Sequence, residues 1–176
     1  MNNEKTSALS DSQLSNFFAD QLNEIFYSER KILEAWAQLQ MIAHAPDLKK
    51  LFQAYYLQVE KEIMRLDGIF TILDIIPAGG KAEAIEALLA EAKTMVSKTA
   101  DGSHTRDAAI IIAVQKIGHY KIATYGSLQQ LATTLGMEDI TNLLSQSLQE
   151  EKENDLLLSD VADKKINWLA EIEPKV

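Results

Sequence analysis

The stretch that decides the fold of this chain is residues 115–126, which read QKIGHYKIATYG. It lies in the middle of the longest apolar segment and places His119 halfway along a predicted helix, where a core residue is expected. Three other predicted helices have carboxylates near their own midpoints. The question is whether these four midpoints meet as a metal site or are separate polar positions in a helical protein.

Length and composition are those of one globular domain and exclude several classes of function. The chain has 176 residues, of which 47% are hydrophobic and 24% charged. A net charge of −9, with Lys and Arg spread along the chain, acts against binding nucleic acid. The absence of Cys excludes disulfides, thiolate metal sites and cysteine nucleophiles, and fits a cytoplasmic location. Neither a signal peptide nor an apolar run long enough to span a bilayer is evident, so no membrane partner is expected.

Apolar residues recur at helical spacing in five segments that are separated by proline, glycine or polar breaks. The predicted helices are A (12–44), B (48–74), a short helix (81–98), C (105–135) and D (138–168). Residues 1–10 are predicted to be a disordered leader, residues 11–170 the helical domain and residues 171–176 a tail. Ser10, Asp11 or Ser12 can cap helix A, Pro46 is expected to end it, and Gly136 is expected to end helix C.

The lengths of the connections predict how these helices are arranged. Helices A and B, and likewise C and D, are joined by short breaks, so each pair is expected to form an antiparallel hairpin. About 30 residues separate B from C, which is enough for a crossover along the whole bundle. The predicted fold is therefore all-α, a ferritin-like four-helix bundle of two antiparallel hairpins whose long B–C crossover contains the extra short helix.

Polar side chains near the helix midpoints could share one layer of such a bundle. Helix B contributes two of them, Gln58 and Glu62, which are four residues apart and share a face. Carboxylate oxygens with one imidazole suit iron or manganese. The predicted metal ligands are Glu29, Glu62, His119, Glu151 and Asp155. No catalytic residue and no other cofactor is assigned.

Simpler readings of the same residues stay open. The Glu-x-x-His pairs of ferritin-like di-metal sites are absent from these helices. A single mid-helix histidine is often a hydrogen-bonded core residue, and Glu29 could be solvated after a small helix rotation. The charged run at residues 150–153 is typical of a solvated face. Lys121 is expected on the surface.

Several stretches together resemble the bacterial YciE/YciF family of ferritin-like stress proteins, over about residues 16–165. The resemblance is most distinctive on helix C, at residues 106–109 and 115–126. The other matching stretches are residues 22–29 on helix A, 63–67 on helix B, and 148–152 with Asp155 on helix D. The resemblance implies a ferritin-like bundle with an extra helix, a homodimer, a link to the stress response and carboxylates placed as in di-iron and di-manganese proteins.

Three hypotheses follow, because this chain departs from the family pattern. The family's usual Glu-His-Tyr-Glu is replaced by Gly118-His119-Tyr120-Lys121, and the order on helix B is reversed to Gln58 then Glu62. Lys121 could then supply a positive charge near the missing site, or it could face solvent. The first hypothesis, which we prefer, is a stress-associated protein with a degenerate di-metal site and a structural or partner-binding role. The alternative is an iron- or manganese-binding protein with oxidase, peroxide-handling or storage chemistry. A third, weaker hypothesis is a module that docks a partner helix on an exposed apolar face.

Overall fold

The computed structural model describes Leu9 and residues 12–174, and its regular secondary structure there is entirely helical. The helices are α1 (Gln13–Ile42), α2 (Pro46–Leu73), α3 (Glu83–Ser97), α4 (His104–Thr134), α5 (Glu138–Val161) and α6 (Asn167–Glu171). The five predicted helices are confirmed, apart from their ends. Helix D was predicted to continue to residue 168, but α5 ends at Val161, where a π-helical turn at Ala162–Ile166 leads into α6. The predicted disordered leader lies, except for Leu9, outside the described residues.

The helix ends follow from local sequence chemistry. Ser12 caps α1, since its side chain accepts a hydrogen bond from the backbone N–H of Ser15 at 3.0 Å. Gly136 follows α4 at φ +73°, and the N–H of Met137 donates to the carbonyl of Ala132 at 2.9 Å, which closes a Schellman turn. Pro46 does not extend α1 but begins α2, a position where its missing N–H costs nothing.

The four long helices pack in a ring, in which each contacts two others. The packed pairs are α1–α2, α4–α5, α1–α4 and α2–α5, while α3 lies against α4 and α1. The helices α2 and α5 are antiparallel, because Gln58 contacts Asn154, whereas Arg65, later on α2, contacts Ser147, earlier on α5. Over the described residues, no helix combines the length and hydropathy needed to cross a bilayer.

The core consists of two apolar clusters with a polar layer between them. Along α1, Ile25 belongs to one cluster and Ile32 to the other, and Glu29 lies between them. The same division occurs on α2, where Val59 and Leu66 lie on either side of Glu62. Glu29 and Glu62, two of the polar groups predicted from the helix midpoints, thus lie at the middle height of the core.

Glu173, near the end of the described residues, is hydrogen-bonded to the start of α4. The carboxylate of Glu173, in the predicted tail, accepts hydrogen bonds from the backbone N–H groups of His104 at 2.5 Å and Thr105 at 3.0 Å. These are free N–H groups of the first helical turn, where a negative charge is also favoured by the helix dipole. The described part of the predicted tail therefore caps α4.

Candidate functional site

The polar layer contains one lysine and three glutamates, each from a different helix. Glu29 comes from α1, Glu62 from α2, Lys121 from α4 and Glu151 from α5, and all four side chains are 0% exposed. Each occupies a position in the buried stripe of its helix where an apolar residue is usual. Charged groups at such positions are very costly unless they are paired.

Lys121 pairs with all three carboxylates. Its Nζ lies 2.6 Å from Glu62 Oε2, 2.8 Å from Glu151 Oε1 and 3.1 Å from Glu29 Oε2. An ammonium group has three N–H donors and no acceptor. Lys121 donates hydrogen bonds to Glu62 and Glu151, and Glu29 lies within ion-pair distance. The ring of Tyr55, with its centroid 5.4 Å away, adds a cation–π contact. The ammonium is therefore surrounded by groups that favour positive charge.

Hydrogen bonds from neighbouring side chains orient the carboxylates around the ammonium. The hydroxyl of Tyr125 donates to Glu29 Oε1 at 2.7 Å, and the hydroxyl of Tyr55 donates to Glu151 Oε2. The amide of Gln58 donates to Glu62 Oε1 at 3.0 Å and to Glu151 Oε1 at 3.2 Å. Asn154 donates in turn to the Gln58 carbonyl at 2.9 Å. These contacts connect the layer into one network, in which Glu29 Oε2 has an ion pair with Lys121 but no hydrogen bond.

Burial and mutual repulsion change the acidity of the layer. Burial raises the pKa of Glu29 to about 7 and that of Glu62 to about 8, while the nearby Lys121 opposes the rise and a neighbouring carboxylate adds to it. Burial alone would lower the pKa of Lys121. The three carboxylates outweigh that effect and hold the pKa of Lys121 well above its usual value. At neutral pH the ammonium of Lys121 is therefore charged, and the Glu29 and Glu62 carboxyl groups are partly protonated because of their raised pKa values.

These shifts predict that stability falls as pH rises through neutrality. The folded-state pKa values of Glu29 and Glu62 lie above the unfolded value of 4.5. At pH values between the unfolded and the folded pKa, the folded protein therefore binds more protons than the unfolded chain. Their contribution is complete below the unfolded pKa and is lost as pH rises through about 7 and 8. We expect urea denaturation to give a lower free energy of unfolding at about pH 8.5 than at about pH 6.

Two variants test this prediction, one that replaces a buried carboxyl group and a matched control that replaces an exposed one. Glu62→Gln should flatten the dependence of stability on pH, whereas Glu91→Gln, at a half-exposed surface pair with Lys116, should leave it as in the wild type. An equal dependence in wild type and Glu62→Gln would contradict the assignment of this titration to the polar layer.

Two of the five predicted metal ligands lie outside the layer. His119, predicted to point inward, is 66% exposed, and its Nε2 lies 3.3 Å from Asp155 Oδ1. Asp155 also accepts a hydrogen bond from the side chain of Gln115 at 3.1 Å. The inner position on α5 belongs to Asn154 instead. The side chain of His119 therefore points away from the buried stripe of α4, contrary to the expectation that it leans inward, and the metal-ligand roles of His119 and Asp155 stay predictions.

The expectation that Lys121 lies on the surface was wrong: its side chain is fully buried, as in the alternative that it supplies a positive charge near the missing metal site. The signal that could have located it is the spacing of the apolar residues on α4. Val114, Ile117, Tyr125 and Leu128 are all buried, and Lys121 falls four residues after Ile117 and four before Tyr125. That spacing places the lysine on the same helical face as these core residues.

The side chains present do not fit the di-metal site that the family resemblance implies. Such a site needs about four carboxylates, and its cations would lie where the carboxylates converge. Here three converge, and Lys121 Nζ occupies the point of convergence. Among the described residues, no group of three or more His, Cys, Asp or Glu side chains has the arrangement to hold a metal ion. The ligand roles of Glu29, Glu62 and Glu151 stay a prediction.

The polar layer also lies apart from the cavities of the protein surface. An apolar cavity of about 280 Å³ lies between α1, α3 and α4, and an open one of about 560 Å³ lies between α1 and α4. Neither these nor the cavities of about 290 and 520 Å³ elsewhere on the described surface are lined by any of the four charged residues. None of these cavities gives a substrate a route to the layer.

Comparisons with known proteins place this geometry in context. Residues 13–171 match the family profile described as a domain of unknown function, DUF892. Protein YciF of Escherichia coli K12 is 34% identical over 162 residues, which cover 90% of this chain and 95% of YciF. The crystal structure of the E. coli stress protein YciF is similar, with a TM-score of 0.83 and 31% identity over 89% of this chain and 98% of that one. YcfI from Rhodopseudomonas palustris, whose description proposes a structural role, has a TM-score of 0.82 and 33% identity over 86% of this chain and 96% of its own.

Proposed function

This chain belongs to the DUF892 family of YciF-like proteins, as its sequence resemblance predicted, and from that premise we propose that it is a non-enzymatic structural protein of the stress response. Its fold is ferritin-like, and the site that performs metal chemistry in other ferritin-like proteins is replaced by a buried ion cluster. The descriptions of its relatives support this proposal, since YciF is described as a stress protein and a structural role is proposed for YcfI.

The observation that supports the proposal most strongly is that the three central carboxylates are already paired. Their oxygens accept hydrogen bonds or ion pairs from Lys121, Tyr55, Tyr125 and Gln58. Oxidase and peroxide chemistry in such a centre needs an open coordination position at a metal and a path for the oxidant. In this buried network the carboxylates contact Lys121, two tyrosines and Gln58, and none of the four cavities described above reaches them. The network does hold four helices at a fixed height relative to one another.

A structural role also needs surfaces on which other proteins can bind. Leu57 and Met64 lie seven residues apart, two turns of α2, and are 52% and 71% exposed. Exposed apolar side chains of this kind favour a partner-binding role. The partner helix of the third hypothesis, the homodimer and the cytoplasmic location stay predictions.

We expect the purified protein to lack metal-dependent oxidation activity. Incubated with Fe(II) and oxygen, or with Mn(II) and hydrogen peroxide, it should oxidise iron and consume peroxide at the rate of buffer alone, because no carboxylate is free to hold the metal. Iron oxidation is followed by absorbance and peroxide by an electrode, with an active di-iron protein measured in parallel.

The control for this experiment is Glu151→Gln, which removes one of the candidate ligands and keeps a side chain of the same shape. Wild type and variant should give the same background rate. A wild-type rate that is clearly above buffer and that falls in Glu151→Gln would contradict the non-enzymatic proposal and support the iron- or manganese-dependent alternative.

A further inference from the structure

We propose that the ammonium group of Lys121 is a covalently attached substitute for a metal cation, so that this chain keeps a cation site at its centre but needs no metal to fill it. The inference rests on the proposed function, and it goes further by assigning the ligand class of the site. It follows from the disagreement between the metal that the fold implies and the residues that are present.

The acceptor oxygens around Lys121 have the geometry of a cation site. Three carboxylate oxygens from α1, α2 and α5 converge on one point, and Lys121 Nζ, from α4, lies at that point at 2.6–3.1 Å from each of them. A surface-type ion pair would need only one partner for the lysine. Convergence of oxygens from three helices on one positive charge is the arrangement by which proteins hold a hard cation.

The groups around the carboxylates are also arranged as in a cation site. Tyr125, Tyr55 and Gln58 donate to Glu29, Glu151 and Glu62 and hold each carboxylate with an oxygen toward the centre. Partners that orient ligands in this way are a general feature of metal sites. The layer therefore has both the inner acceptors and the outer orienting groups of a cation site, and only the cation differs.

A metal ion and the Lys121 ammonium cannot share the point where the three carboxylates converge. A first-row divalent ion binds carboxylate oxygens at roughly 2.0–2.2 Å and would have to displace Nζ from the point where the oxygens converge. In a buried layer two adjacent positive charges repel strongly. The wild type is thus expected to exclude divalent cations, whereas removal of the lysine side chain should leave a site for them.

Lys121→Ala provides the test. It removes the charge and leaves a space bounded by three carboxylates and the side chain of Gln58. We expect this variant to retain about one Mn²⁺ per chain after desalting, at least tenfold more than the wild type, because oxygen ligands suit Mn²⁺. Metal content is measured by mass spectrometry, and the melting temperature of the variant should rise with added Mn²⁺ while that of the wild type should not.

Two matched variants separate charge from packing. Lys116→Ala removes an exposed lysine of the same helix that pairs with Glu91, and it should bind no more Mn²⁺ than the wild type. Lys121→Met removes the charge but keeps most of the side-chain volume, so it should bind less Mn²⁺ than Lys121→Ala. Equal, low metal contents in Lys121→Ala, Lys121→Met and wild type would overturn the proposal.

The test remains decisive if Lys121→Ala does not fold without metal. Refolding from denaturant in the presence of Mn²⁺ should then recover the helical protein, and failure to recover it would overturn the proposal. The outcome for the proposed function is separate. If the wild type binds Mn²⁺ and consumes peroxide, the structural role is contradicted. If Lys121→Ala binds no metal and the wild type is inactive, only the proposal that lysine substitutes for the metal is contradicted.

Discussion

Lys121→Met is expected to lower the free energy of unfolding by about 3–5 kcal/mol, as is usual when one partner of a buried ion pair is removed. The methionine side chain fills a similar volume, so the cost does not come from a cavity. It comes from three buried carboxylates, on Glu29, Glu62 and Glu151, that lose their only cation within ion-pair distance among the described residues. Chemical denaturation monitored by circular dichroism measures the change.

Two controls identify the ion cluster as the cause. Lys116→Met removes a surface lysine that is 44% exposed, and it should change stability by less than about 1 kcal/mol. Adding Glu29→Gln, Glu62→Gln and Glu151→Gln to Lys121→Met removes the stranded negative charges and should recover much of the loss, because buried ion clusters are often replaceable by neutral groups. A small loss in Lys121→Met, comparable with that in Lys116→Met, would contradict the role assigned to the lysine.

Asp107→Ala is expected to destabilise the protein by about 2–4 kcal/mol, because it leaves the buried N–H group of Ala45 and the partly buried N–H group of His44 without an acceptor. Asp107 is fully buried in the first turn of α4, and its carboxylate accepts hydrogen bonds from the backbone N–H groups of His44 at 2.6 Å and Ala45 at 2.8 Å. These residues connect α1 to α2, and Ala45 has no side chain with which to cap α2. The carboxylate of another helix thus performs the capping.

A matched variant and a local measurement test this assignment. Asp101→Ala removes an aspartate near the same helix end that is 93% exposed, and it should change stability by no more than about 0.5 kcal/mol. In Asp107→Ala, amide hydrogen exchange at the start of α2 should be faster than in the wild type, whereas exchange at the start of α5 should be unchanged. Unchanged protection of the amide groups of His44 and Ala45 would show that Asp107 does not hold this connection.

The sequence was sufficient to locate the helices and three of the four charged residues in the polar layer. Periodicity at 3.6 residues depends only on neighbouring positions along the chain. It placed Glu29 inside the apolar stripe of α1, and the structure has that side chain fully buried. Ser12 and Gly136 acted as predicted for the same reason, since capping is a local interaction.

The error on α4 shows where local patterns are insufficient. α4 is apolar on several sides, so both His119 and Lys121 were plausible core positions. Two residues differ by roughly 200° around a helix, so only one of the pair can face the centre. Chemistry suggested the histidine, which is a common metal ligand, whereas packing selected the lysine. Burial of an ammonium group becomes favourable only when three carboxylates on other helices are in place.

The sequence by itself determined the helical segments, their connections and the family, because these depend on local propensity, periodicity and short motifs. Only the tertiary structure decided that Glu29, Glu62 and Glu151 meet at one height and that Lys121 occupies the point between them. The physical reason is that the cost of burying each charge depends on its distance from the others, across four helices and up to 122 residues of sequence. The three glutamates, read singly along the chain, indicated a metal site, and their assembly with Lys121 forms a lysine-centred ion cluster.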